Sequence, residues 1–308
     1  MEFSLMTEPQ QGGTYEQLLA AAQLAEGLGL ASFARSDHYY SLDTPVPAAT
    51  DAFASLGGLA RDTKNIPLCV LVTPITFRHP AVIAKSAASI DEMSGGRLEL
   101  GVGTGWMDRE HEAYGLPFPS LDERFERLEE AIQYLMAAFS PKKASFAGNH
   151  YTFDADALPK PTSMPLIIGG SGSYRTPRLA GTYADEYNHF VTRPEDLTPK
   201  LARVRKAAAD AGRHPETIRV SMMGPVVVGA DQKSYRAELA RQAASYGMDP
   251  TAFEQRMPDR GVPSGTPDRV AESLAALEEA GVTRFYVQHL ELWDLEPLRE
   301  TFDVLLSF

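Results

Sequence analysis

The chain is poor in cysteine: among 308 residues only Cys69 carries a thiol. No disulfide can close within it, and Cys69, set in the apolar run Leu68-Cys69-Val70-Leu71-Val72, is expected to be buried and inert. No apolar run approaches the roughly 18 residues that a membrane-crossing helix needs, so no membrane association is expected. Positive charge is scarce too. Lys and Arg number 29 against 41 Asp and Glu, giving a net charge of −12 and a pI near 5.1. That balance argues against nucleic acid or an anionic bilayer as a partner, although a local basic pocket stays open. The first residues hold no basic stretch leading into an apolar one, so a signal peptide is not expected and a soluble, cytoplasmic protein is. The histidines are scattered, with no His-x3-His and no cysteine pair, so no metal site is expected. No Gly-x-Ser-x-Gly elbow opens a helix with a downstream triad.

What is present is alternation. With 44% hydrophobic residues the chain can bury a large core. Strand patterns at Phe3–Met6, Ala31–Arg35, Leu68–Val72, Arg97–Val102, Leu166–Ile168, Glu186–Val191, Ile218–Met223 and Arg284–Gln288 are separated by helix patterns nearly throughout. Thr14 with Gln17 and Ser120 with Glu123 have capping-box spacing, and Pro80 suits a first helical position. Eight βα units in a chain of this length predict an α/β fold, a TIM (β/α)8 barrel, with a doubly wound open sheet as the alternative. One domain over 1–308 is expected, with insertions at about 140–164 and 231–263; the second should be helical.

In such a barrel the chemistry lies where strands end. Glu8 follows the first strand, Asp37-His38 the second, Gly103-Thr104-Gly105-Trp106 the fourth and Gly169-Gly170-Ser171-Gly172 the fifth. A neutral imidazole exchanges protons near pH 7, and a neighbouring carboxylate can orient it; an Asp that merely caps a loop is the alternative. Glycine lets main-chain N–H groups approach a ligand closely, although a tight turn explains Gly101-x-Gly103-x-Gly105 equally well. The Gly169–Gly172 loop opens a predicted helix at Tyr174, which suits a phosphate. Arg175 fits either a phosphate partner or plain solvation. Glu8 reads as a loop carboxylate or an acid–base group, and His111 as a position on a surface helix.

These motifs carry a family likeness. Phe77-Arg78-His79-Pro80, the run Ser94-Gly95-Gly96-Arg97-Leu98-Glu99-Leu100-Gly101-Val102-Gly103-Thr104-Gly105-Trp106, and Pro165–Gly172 with Arg175-Thr176 resemble the luciferase-like monooxygenase superfamily of flavin and deazaflavin enzymes. Thr7-Glu8-Pro9-Gln10 and Arg35-Ser36-Asp37-His38-Tyr39 resemble its coenzyme F420-dependent branch. The resemblance implies hydride transfer between the deazaflavin and a small organic substrate. In it Asp37 would bond the ring and orient His38, and His38 would lie at the reacting carbon. It also implies a bulge with a non-prolyl cis peptide at Val70–Leu71 behind the ring. Gly103, Thr104 and Gly105 would run along the cofactor linker, and Gly169, Gly170, Ser171 and Gly172 would hold its phosphate. A homodimer is implied as well. The alternatives are a monooxygenase using reduced FMN from a separate reductase, and a non-catalytic flavin-binding barrel. Sugar-phosphate dehydrogenases of this family carry an acid after Gly-Thr-Gly, where this chain has Trp106. Ser41–Thr50 and the two insertions would form the substrate walls.

Overall fold

The computed structural model describes residues 1–41, 50–157 and 159–308; of the expected substrate walls, 42–49 and 158 lie outside the described residues. Eight parallel strands close a barrel, each paired with its neighbours in chain order and the last with the first. They are β1 (Glu2–Thr7), β2 (Phe33–Arg35), β3 (Leu68–Pro74), β4 (Leu98–Gly103), β5 (Leu166–Gly169), β6 (Glu186–Phe190), β7 (Arg219–Gly224) and β8 (Arg284–His289). All eight correspond to the strands expected from the sequence, and the open-sheet alternative falls away.

Side chains alternate across each strand. Met6, Ala34, Cys69, Leu71, Ile167 and Tyr286 fill the barrel. Leu5, Phe33, Leu68, Val70, Leu98, Leu100 and Phe285 belong to a larger core that also takes in Leu18, Leu56, Ile83 and Leu179 from the surrounding helices. Each such side chain, fully buried, contributes roughly 1.5–3 kcal/mol. Helix ends follow the local sequence. Thr14 and Gln17 form the reciprocal box before Tyr15–Gly27, and Ser120 accepts from the Glu123 N–H ahead of Leu121–Phe139. Gly95, in a left-handed conformation, ends Pro80–Ser94.

The bottom of the barrel is a closed ionic cluster. Arg284 Nη1 donates to both oxygens of Glu99 (3.0 and 2.9 Å), to Glu186 (3.3 Å) and to the Tyr286 hydroxyl (2.7 Å). Burial, and then the charge of Glu99, raise the Glu186 pKa although Arg284 pulls it down. Burial also raises the Cys69 pKa well above that of an ordinary thiol, which fits an inert residue.

The first expected insertion, between β4 and β5, carries an antiparallel hairpin, Ala144–Ala147 with Thr152–Ala155. The segment between β7 and β8 holds the expected helices, Gln232–Ser245 and Pro250–Arg260.

One expectation is corrected. The cis peptide joins Leu71 and Val72, one bond later than Val70–Leu71. Val70 still pairs in regular register with Leu100, and the bulge falls between Val70 and Thr73. The Val70 side chain is fully buried in the outer core, and that of Leu71 is buried in the barrel filling. Val72 is the partly exposed residue of β3.

Candidate active site

The residues that follow the strands gather at the C-terminal rim because every strand runs the same way. After β2, Asp37 is fully buried, and its two oxygens take a forked pair of bonds from Arg78, at 2.5 and 3.2 Å. Arg78 also bonds the Tyr39 hydroxyl at 2.7 Å, pairs with Asp51, and lies over the rings of Phe53 and Tyr39. Such a fork with aromatic stacking is a rigid arginine arrangement. The Asp37 side chain therefore leaves no exposed atom for a cofactor ring, and it does not orient His38. Those two expectations are corrected.

The partner of His38 is Glu110. Its Oε1 lies 2.9 Å from His38 Nδ1, and its Oε2 accepts the Tyr39 N–H at 3.1 Å. A carboxylate only accepts, so Nδ1 carries the hydrogen. Burial alone would lower the His38 pKa; the hydrogen bond and charge of Glu110, with smaller contributions from Glu8 and Asp37, outweigh it and raise the value. The ring meets Trp106 edge-on at 5.6 Å, and Trp106 is 61% exposed.

Glu110 escaped the sequence reading. It sits in a seven-residue helix, Asp108–Tyr114, whose polar sequence shows no apolar period. The signal was the Glu-His pair one helical turn beyond the glycine loop. His111, expected at the surface, is fully buried. Its Nδ1 donates to the Met107 carbonyl at 2.7 Å, and Nε2 lies 2.6 Å from the Thr76 hydroxyl. The reason is packing: the ring lies between Phe77 and Phe118.

Glu8 is buried rather than a solvated loop carboxylate. It accepts from Gln10 Nε2 at 2.6 Å and from Gln288 Nε2 at 2.8 Å. Ser36 donates to Gln10, and Tyr246 of the β7–β8 insertion to Gln288, so a polar chain runs along the β8–β1–β2 side.

On the β3–β5 side, β4 and β5 end in glycine. A Cβ at Gly101, Gly103 or Gly169 would lie 2.8 Å from a methyl of Val72. These glycines make room for Val72, which floors this half of the mouth. Gly103 is buried, whereas Thr104 and Gly105 are partly exposed. Gly105 has φ +77° and its carbonyl accepts from Arg124 at 2.6 Å.

The second glycine loop leads into the helix Arg175–Tyr183. Gly169 and Gly170 are half-buried, while Ser171 and Gly172 are exposed. Lys200 Nζ donates to the Ser171 carbonyl at 3.0 Å and Arg203 to that of Ser173 at 3.0 Å. Lys200 also bonds His189 Nε2 at 2.6 Å. Burial, and then the charge on Lys200, push the His189 pKa down to about 4. Arg175 pairs with Asp122, not with open solvent alone. Among the described residues no group of His, Cys, Asp and Glu could hold a metal ion, and no helix is long and apolar enough to cross a membrane.

A family model described as luciferase-like monooxygenase matches residues 1–284. The chain belongs to that family. Among its luciferase-like relatives, an F420-dependent glucose-6-phosphate dehydrogenase of Microbacterium testaceum is 36% identical over 205 residues, 65% of this chain and 60% of the relative. The aligned part thus spans less than two thirds of that dehydrogenase. The pyrimidine monooxygenase RutA of Stutzerimonas stutzeri is 29% identical over 276 residues, 83% of this chain and 73% of the relative. The solved structure of an F420-dependent secondary alcohol dehydrogenase superposes with a TM-score of 0.80 at 22% identity, covering 98% of this chain and 97% of that one. At that identity it speaks for the luciferase-like barrel alone.

Proposed function

We propose that this protein is a coenzyme F420-dependent oxidoreductase acting on a small organic substrate. The observation that carries the reading is His38 at the rim, held by a buried carboxylate and met edge-on by Trp106, on a barrel mouth whose β4–β5 side is floored by Val72. The residues present fit a phosphorylated ring cofactor. A flat ring suits the Val72–Trp106 side, and a phosphate suits the exposed Ser171–Gly172 backbone at a helix start, with Lys200 and Arg203 behind it. Gly103, Thr104 and Gly105 are the residues along which the connecting chain would lie. When bound, a reduced deazaflavin supplies a hydride; the protein supplies the proton, orientation and exclusion of water.

His38 is the group proposed to exchange that proton at Nε2. Asp37 is proposed as a structural anchor for Arg78 and the loop after β2. Trp106 stands where sugar-phosphate dehydrogenases carry an acid, and Glu110 is engaged with His38 and Tyr39, so sugar-phosphate oxidation by that route is not proposed. The cofactor preference rests on the likeness of Thr7–Gln10 and Arg35–Tyr39 to the F420-dependent branch and on the 36% identity with an F420-dependent relative. A reduced-FMN monooxygenase is the second reading, supported by RutA's longer alignment; it would need a separate reductase.

Equilibrium titration of the full-length protein with oxidised F420 and with FMN, followed by fluorescence quenching, tests the proposal. Saturable F420 binding is expected. Tight FMN binding with no F420 affinity would end it.

A further inference from the structure

In the pair that His38 forms with Glu110 at the rim, only one nitrogen of the ring is committed. Nδ1 donates to Glu110, while Nε2 has no hydrogen-bond partner among the described residues and is not among the buried unsatisfied atoms. Glu110 is 1% exposed. Its second oxygen is fixed by the Tyr39 N–H, the residue next to His38. The carboxylate therefore grips the histidine from two sides: through its ring, and through the backbone that follows it. Trp106 closes one edge of the ring. The charged groups acting on the imidazole are Glu110, Glu8 and Asp37, all acidic.

We propose that Glu110 is the positioning residue of this site: it locks His38 with hydrogen on Nδ1 and presents Nε2 to the barrel mouth as the proton-exchanging atom. The proposal rests on the reading of His38 given above and extends it to the residue behind it. In the reductive direction the reduced cofactor, when bound, would supply the hydride to the substrate's electrophilic carbon, and the N–H bond at Nε2 would break. The proton passes to the substrate heteroatom, and the electron pair stays on Nε2. The ring is left neutral, still bonded to Glu110 through Nδ1–H, so no second proton has to move. In the oxidative direction the same atoms run in reverse.

The test needs no cofactor. Full-length protein with 15N-labelled histidine is titrated by NMR, and the His38 signals are assigned by their loss in His38→Gln. The neutral His38 ring should carry its hydrogen on Nδ1, and its pKa should lie above that of a free imidazole. In Glu110→Gln the amide oxygen can still accept one hydrogen bond but the charge is gone, and the His38 pKa should fall by at least about one pH unit. Glu110→Asp should retain part of the elevation. A wild-type ring with hydrogen on Nε2, or a pKa that Glu110→Gln leaves in place, overturns the proposal; the wild-type measurement decides it even if a variant fails to fold. Failure of F420 to bind, with these NMR results intact, would remove the cofactor reading and leave the role of Glu110 standing.

Discussion

His38 and His189 stand at the rim of the same barrel and are both largely buried, yet their surroundings push them in opposite directions. His38 faces a carboxylate and holds its proton more tightly. His189 faces the Lys200 ammonium, accepts its hydrogen bond and stays neutral down to about pH 4. Burial acts against the charged form in both; the sign of the neighbour decides the outcome. The β2 side thus offers a proton that can move. The β6 side offers a cation fixed against the Gly169–Ser173 loop. In the proposed function, proton exchange and anion binding are separated across one opening.

The two histidines also tie stability to pH with opposite signs. The raised His38 contributes stability that is present below the unfolded histidine value and lost as pH rises through its folded pKa. The lowered His189 contributes stability that is present above the unfolded value, about 6.5, and lost as pH falls toward about 4.

Removing the movable proton should have the largest effect. His38→Ala should lower kcat by about 10²–10⁴-fold per folded molecule. It also takes the ring away from the buried Glu110 carboxylate, so some loss of stability is expected, and urea unfolding gives the folded fraction. Unchanged turnover would strip His38 of its role. The closed cluster at the barrel bottom is the control. Arg284→Met leaves Glu99 buried without its cation and Glu186 with only the more distant Arg219 at 3.6 Å, and should cost about 3–5 kcal/mol of stability, read by urea unfolding. Cofactor affinity of the folded fraction should stay the same, and a loss of affinity would show that the two ends are coupled.

Acid titration sharpens the histidine comparison. Stability should fall by up to about 3 kcal/mol between pH 6.5 and 4 through His189 alone. Chemical denaturation of His189→Asn over the same range should show a shallower slope. The smallest effect is expected at the fixed cation. Lys200→Met removes the donor to Ser171 and should weaken cofactor binding by about tenfold, measured by fluorescence titration, while His189 titrates at higher pH.

The barrel was legible because its signals are periodic: eight apolar strands, capped helices and glycine stops repeat along the chain. The rim was legible only where a motif is contiguous, as in Asp37-His38 and the glycine loops. Partners across sequence were not. Arg78 reaches Asp37 over 41 positions and Glu110 reaches His38 over 72, and nothing local marks either pair. The packing role of Gly101, Gly103 and Gly169 is equally non-local. Their missing side chains leave room for Val72, a residue that only the bulge in β3 brings there. The hairpin at 144–155 was missed because its two strands have four residues each, too short for alternation to stand out.

The most direct measurement is a crystal structure of the full-length protein with F420. The deazaflavin ring is expected against Val72 with His38 Nε2 facing it, and the phosphate on the backbone of Ser171 and Gly172. A ring bound away from His38, or His38 turned to bond Asp37 in place of Glu110, would contradict the proposal.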